Sequence, residues 1–270
     1  VICVYAAADV DGEMASRPVR RHATNPITPA VMLRNESLSP RAAGACPFLP
    51  LGPPDLPLQP GTRVAIDCEF VALTHEETRV DARGREVIAR PARQTLARVS
   101  VIRAEGPLAG RALLDSYIVP AEPVVNYLTR YSGIRPGDLD PAVSRHHVTN
   151  MKDAYLKLRY LVDAGCVLIG HGLQKDFQMV NIVVPPAQII DTVDLFYMPG
   201  DRRVSLRFLA WVILGRRIQE GVHDSVEDAA TALALHGRYE ALVASGSFDA
   251  ALRRVYAEGH RLGWAVPEEE

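Results

Sequence analysis

The chain has 270 residues, 48% of them hydrophobic, with 30 Lys and Arg against 32 Asp and Glu for a net charge of −2. That is enough apolar material for a sizeable core in one or two domains. The near-neutral balance argues against a broad phosphate-binding surface of the kind basic proteins carry, though not against a narrow cleft with local Lys and Arg. No apolar run, "FLAWVIL" (208–214) included, approaches membrane-spanning length, so no membrane partner is expected.

Ten of the twenty prolines fall in residues 1–60. "CPFLPLGPPDLPLQPG" (46–61) cannot be helix or central strand, because proline lacks the N–H and fixes φ. Residues 1–60 read as an extended linker that lies on, or leads into, a folded unit starting near Gly61. The chain opens on Val and reads as a piece of something longer. Its four cysteines (Cys3, Cys46, Cys68, Cys166) form no CxxC pair and read as reduced thiols of an intracellular, cytoplasmic protein.

From Gly61 the pattern alternates. "RVAIDCEFVAL" (63–73), "TLARVSVIR" (95–103) and "RALLDSYIVP" (111–120) are rich in β-branched residues and predict three successive strands. The polar stretch 74–94 predicts a loop or irregular hairpin. Helices are expected over 122–133, which ends on Gly133, and over 149–165, with Thr149 or Asn150 as cap. A buried strand "CVLIGH" (166–171), a helix from about Leu173 and a strand "QIIDTVDLF" (188–196) follow. Helices are then expected over 205–215, 225–246 and 248–262. Strands in a meander followed by alternating helices and strands predict an α/β fold with a mixed central sheet flanked by helices.

The acids stand out against this pattern. Asp67 and Glu69, in "AIDCEF" (65–70), project from one face of a strand. Two adjacent buried carboxylates repel unless protonated or separated by cations. Either they face solvent or arginines on an edge strand, or they hold a cation. Asp176, in "GHGLQKDF" (170–177), lies early in a post-strand helix, where an acid also complements the helix dipole. In "HDSVED" (223–228), Ser225 and Asp228 have the spacing of a capping box, while Asp228 and His223 also fit a shared site. Asp191 reads as an Asx-type turn, His171 as a histidine in a glycine turn, and Glu227 as solvent-facing. Phe70, Tyr127 and Tyr131 are either core residues or platforms for base stacking.

The order of these motifs resembles the DEDD exonuclease superfamily, in the branch whose last motif carries histidine. The sister branch has tyrosine four residues before the last acid, where this chain has Asp224. "YSGIRPGDLDP" (131–141), "LVDAGCVLIGHGLQKDF" (161–177), "IIDTVDLF" (189–196), "SLRFLAW" (205–211) and "HDSVEDAATAL" (223–233) resemble the nuclease domains of catalytic subunits of Pan-type poly(A)-nuclease deadenylation complexes. The similarity runs from about Val64 to the C-terminus. Cys68 departs from it, standing where alanine is more usual, and is tolerated as a small apolar side chain.

The resemblance implies a ribonuclease H-like sheet, with residues 61–246 as the exonuclease domain and 247–270 as a C-terminal helical extension. Residues 1–60 would be the end of a ubiquitin-hydrolase-like domain and its linker. It implies Asp67, Glu69, Asp176 and Asp228 as ligands of two divalent ions (Mg²⁺ or Mn²⁺), Asp67 bridging both, and His223 as general base. The implied reaction is 3′–5′ removal of 5′-AMP from single-stranded poly(A) RNA. The implied partners are a pseudokinase-like adaptor and, through it, poly(A)-binding protein. Two other readings remain open: a DEDD exonuclease for other RNA or DNA 3′ ends, and a silent nuclease fold serving as a scaffold.

Overall fold

A computed structural model describes residues 27–42 and 48–268 of the chain. Cys3, Cys46 and the first 26 residues of the proline-rich stretch lie outside the described residues. A six-stranded sheet has the order β6-β5-β4-β1-β7-β8. Its strands are β1 (Arg63–Ala72), β4 (Gln94–Arg103), β5 (Ala112–Val119), β6 (Val148–Asn150), β7 (Val167–Gly170) and β8 (Ile189–Asp191). The meander β1–β4–β5 is antiparallel, whereas β6, β7 and β8 join as parallel strands. The mixed sheet follows from the sequence order: three strands in tight succession, then strands each entered through a helix or long connection.

The polar stretch 74–94 forms a separate exposed hairpin of β2 (Glu77–Val80) and β3 (Glu86–Arg90). The helices are α1 (Thr129–Ser132), α2 (Met151–Asp163), α3 (Leu173–Val180), α4 (Thr192–Leu195), α5 (Leu206–Leu209), α6 (Ser225–Ala244) and α7 (Phe248–Leu262). No helix among the described residues is long and apolar enough to cross a membrane.

β1 is buried on both faces. Val64, Ile66, Cys68 and Phe70 join the main core with Leu158 and Leu161 of α2 and Leu173 and Val180 of α3. Ala65 points the other way, into a cluster with Ile102, Ile169 and Ala229 of α6. By strand alternation Asp67 and Glu69 share the α6 side with Ala65. The far end of α6 and α7 close a further core around Phe196, Phe208, Leu235 and Tyr256. Each such buried side chain contributes roughly 1.5–3 kcal/mol.

The described part of the proline-rich stretch lies on this unit in extended and short 3₁₀ segments. Met32, Phe48 and Leu51 enter the main core. Leu38 and Leu49 donate backbone hydrogen bonds to Val148 and Ala112, and the Lys157 ammonium donates to Asn35. Cys68 and Cys166 are free and buried.

Four local expectations change. Of the helix expected over 122–133 only Thr129–Ser132 is helical, because Val125 and Asn126 spend their N–H groups on Ala72 at the end of β1. The strand expected over 188–196 stops at Asp191, whose side chain caps the single turn of α4. The helix of 205–215 is α-helical for four residues and then widens into a π-turn over Ala210–Leu214. The short strand β6, which ends on the Asn150 cap of α2, is an addition.

Candidate active site

The site lies where a neighbouring strand runs out. β1 pairs with β7 only through Arg63, Val64 and Ala65, since β7 ends at Gly170. A side chain at Gly170 would meet Leu173 at 2.3 Å and the Ile66 carbonyl at 2.9 Å, so glycine is what lets β7 turn away this close to β1. Beyond that point the β7 side of β1 is open. The Ser225 hydroxyl, at the start of α6, donates to the freed carbonyl of Asp67 at 3.1 Å.

This contact changes the expected capping. Ser225 is fully buried and bonded to β1, so it does not cap α6. Asp224 does, its Oδ1 accepting from the N–H groups of Val226 and Glu227 at 3.0 Å. Asp228 is thereby released from the capping box and turned inward, 4% exposed. Oxygens of Asp67, Glu69 and Asp228 lie within 4.8 Å of one another. Asp176, 8% exposed on α3, stands outside this trio but close enough for its charge to act on both Asp67 and Glu69.

The electrostatics match the crowding. Burial, then the charges of Glu69, Asp176 and Asp228, push Asp67 well above the usual carboxylate range. Burial and the charge of Asp228 push Glu69 up to about 8, against the pull of Arg98. Burial lifts Asp176 to about 7 although Lys175 opposes it. Glu69 Oε1 and Asp228 Oδ1 are buried without a hydrogen-bond partner. Orphaned carboxylate oxygens are rare and costly. An all-oxygen donor set of this kind fits a hard divalent cation such as Mg²⁺ or Mn²⁺.

His223 precedes α6 on a loop. Its Nδ1 lies 3.4 Å from Asp228 Oδ2, and about a third of the side chain is open to solvent. Gly133 packs beneath this loop: with φ +67, it sits so close that a Cβ would meet the His223 carbonyl at 2.3 Å. Tyr131, 63% exposed, presents its ring edge-on to His223 at 6.2 Å. Of the three aromatics considered, Tyr131 is therefore a surface residue. Phe70 is buried, with the Lys175 ammonium 5.9 Å from its ring, and Tyr127 packs against a small core.

Asp191 accepts from the N–H groups of Gly172, Leu173 and Val193, so it builds the turn into α3 that carries Asp176. His171 bonds Thr192, and burial pushes it down to about 4. Glu227 is exposed.

Three residues of the site were not singled out in the sequence. Gln219, in the left-handed region at φ +54, donates its amide to Asp228 Oδ2 at 2.8 Å and leaves Oδ1 facing the cluster. Arg98 and Asp115, on β4 and β5, form a buried bidentate pair beside it. A charge inside the apolar run "TLARVSVIR" was the signal for Arg98, of the same kind that marked Asp67 and Glu69. Gln219 has no such signal.

A sequence model described as "Exonuclease" matches residues 64–236. The PAN2–PAN3 deadenylation complex catalytic subunit PAN2 of Gallus gallus is 46% identical over 250 residues, covering 90% of this chain and 21% of its own length. The chain thus spans about a fifth of that relative. Among solved structures, the Saccharomyces cerevisiae Pan2 pseudoubiquitin hydrolase–RNA exonuclease module in complex with AACCAA RNA matches with TM-score 0.80 and 42% identity. It covers 91% of this chain and 38% of that one. The same module in complex with A7 RNA matches with TM-score 0.77 and 41% identity, covering 89% and 37%. The sheet is accordingly the ribonuclease H-like mixed sheet of Pan2 exonuclease modules. With its acids gathered where β7 runs out, its histidine on the α6 loop and a family match across most of the folded unit, the chain belongs to the exonuclease family.

Proposed function

We propose that the chain carries a metal-dependent 3′–5′ exoribonuclease that shortens poly(A) tails and releases 5′-AMP. The observation that carries this reading is the trio Asp67, Glu69 and Asp228, with two buried carboxylate oxygens left without partners beside a solvent-reachable histidine. Asp176 completes the set of acids. Asp67, Glu69, Asp176 and Asp228 would hold two divalent cations, which would supply activation of water and charge stabilisation on the attacking and leaving oxygens.

The protein's own groups do the rest. His223 takes the proton of the attacking water as the bond between the terminal phosphorus and O3′ of the preceding nucleotide breaks. The departing O3′ takes a proton from solvent water, and the released nucleotide keeps the phosphate on its O5′. Tyr131 offers an exposed ring beside His223 on which the terminal base stacks. Adenosines stack well on one another, so a cleft that accepts a regular stacked strand favours poly(A) without reading base edges. A relative's module in complex with A7 RNA supports the substrate class. The relative is the catalytic subunit of a PAN2–PAN3 complex, which supports a partner subunit; that this partner is a pseudokinase-like adaptor recruiting poly(A)-binding protein rests on the sequence resemblance alone.

The test is a time course on 5′-labelled oligonucleotides at fixed salt, with and without chelator. Oligoadenosine should shorten faster than RNA with guanosines near its 3′ end, and faster than oligo-deoxyadenosine, with all cleavage stopped by chelator. Equal rates on all three substrates would remove the poly(A) preference, and chelator-insensitive cleavage would remove the metal reading.

A further inference from the structure

We propose that Arg98 is a positioning residue for this reaction: through Asp224 it sets His223 over the carboxylate cluster. The inference rests on the reading of His223 as the base.

Arg98 is 6% exposed in the middle of β4. It stands directly opposite Glu69 in the β1–β4 register, beside an acid whose Oε1 lacks any partner. A guanidinium serving only to neutralise the cluster would bond that oxygen. Instead its fork goes elsewhere. Nε and Nη2 donate to the two oxygens of Asp115 at 2.8 and 3.0 Å, and Nη1 donates to Asp224 Oδ2 at 2.8 Å. The Ser100 hydroxyl donates to Asp115 at 3.0 Å. The guanidinium also lies 5.0 Å from the Tyr117 ring centroid, and that ring stacks on His146. The guanidinium is thus fixed in direction as well as position, as planar bidentate arginine pairs are.

Asp224 is the other half of the device. One carboxylate oxygen takes the Arg98 bond, and the other caps α6 through Val226 and Glu227. Its carbonyl accepts from the N–H of Asp228 at 2.9 Å. His223 precedes it directly in the chain. One side chain therefore ties the central sheet to the turn that carries both His223 and Asp228. Gly133 closes on the His223 carbonyl from another side. Without the tether the loop keeps its helix but loses its anchor on β4.

The test uses Asp224→Asn, because an asparagine oxygen still caps the helix while its amide turns a donor toward the Arg98 donors. Turnover should fall on the order of tenfold to a hundredfold, the scale of a small misplacement of a reacting group. KM and Mn²⁺ affinity by calorimetry should stay within about twofold. Asp224→Glu, which keeps the carboxylate, should recover part of the turnover. In a His223→Ala background the Asp224→Asn change should add nothing. Backbone hydrogen exchange over residues 219–228 should rise in Asp224→Asn.

Wild-type turnover in Asp224→Asn would overturn the proposal. So would an equal slowing in the His223→Ala background, or Mn²⁺ affinity lost in step with turnover. Should the parent protein show no chelator-sensitive cleavage, the reading of the site falls by itself. Hydrogen exchange then decides the tether alone: raised exchange upholds it, unchanged exchange ends it.

Discussion

Two groups of acids near the middle of the sheet are treated in opposite ways. On β4 and β5, Asp115 receives both arms of a guanidinium and a serine hydroxyl. Against the cost of burial, the Arg98 bond and two backbone N–H groups hold Asp224 below the usual carboxylate range. On β1, Asp67 and Glu69 stand higher than ordinary carboxylates, and Glu69 leaves an oxygen bare. Asp115 is about as buried as Glu69, so burial by itself does not mark function. Completeness of pairing separates them: a finished network has no bare oxygen to offer, whereas an unfinished one has oxygens that a cation could use.

The sharpest break in that contrast is Asp67→Asn. RNA hydrolysis should drop to background, while the melting temperature in chelator stays level or rises because a repulsive charge is gone. A clear fall in melting temperature would move Asp67 into the paired group. Next comes His223→Ala, expected to cut turnover by about 10²–10⁴-fold, the usual worth of general acid–base catalysis. Mn²⁺ affinity should hardly change, and its loss in calorimetry would make His223 a ligand.

The paired group answers differently. Arg98→Met leaves Asp115 buried and uncompensated and should cost about 3–5 kcal/mol in urea unfolding, partly recovered by Asp115→Leu in the same chain. Stability as good as the parent's would mean the network is ornamental.

The smallest effect is one of slope. Glu69 and Asp176 have folded pKa values raised to about 8 and 7, so the folded, metal-free protein holds protons that the unfolded chain has released. Their stabilisation is complete below the unfolded values near 4 and is lost as pH rises through about 7 to 8. In chelator, the melting temperature should therefore decline between about pH 5 and 8, and saturating Mn²⁺ should flatten the decline because ligation takes the deprotonated acids. Equal slopes with and without Mn²⁺ would mean no cation uses these groups.

The main strands and the long helices were readable because their signals are local: β-branched runs, apolar spacing, terminal glycines and the Asn150 cap. The acids were readable because a charge in an apolar run is conspicuous. What failed were features decided by distant partners. Ser225 has the local look of a cap, yet the open carbonyl of Asp67, 158 positions earlier, claims its hydroxyl. Residues 122–128 have a helix-like pattern, yet the unpaired end of β1 draws their N–H groups. Tyr131 reads from the sequence as core or as a stacking platform, and only the short turn of α1 puts it outside.

The strand and helix that frame the site also touch at their opposite ends, where Arg63 at the head of β1 reaches Glu240 of α6 at 3.1 Å. That exposed pair adds little stability, but it marks a shared length. From residue 63 to 69 a strand advances about 20 Å, and from 228 to 240 a helix advances about 18 Å. Strand and helix are thus two rulers cut to one measure. A single residue inserted between Arg63 and Asp67 would hand the acids to the opposite face of the sheet. One inserted between Asp228 and Glu240 would swing Asp228 about 100° around its axis. Relatives of this chain should therefore tolerate substitutions along both stretches far more readily than any change in their length.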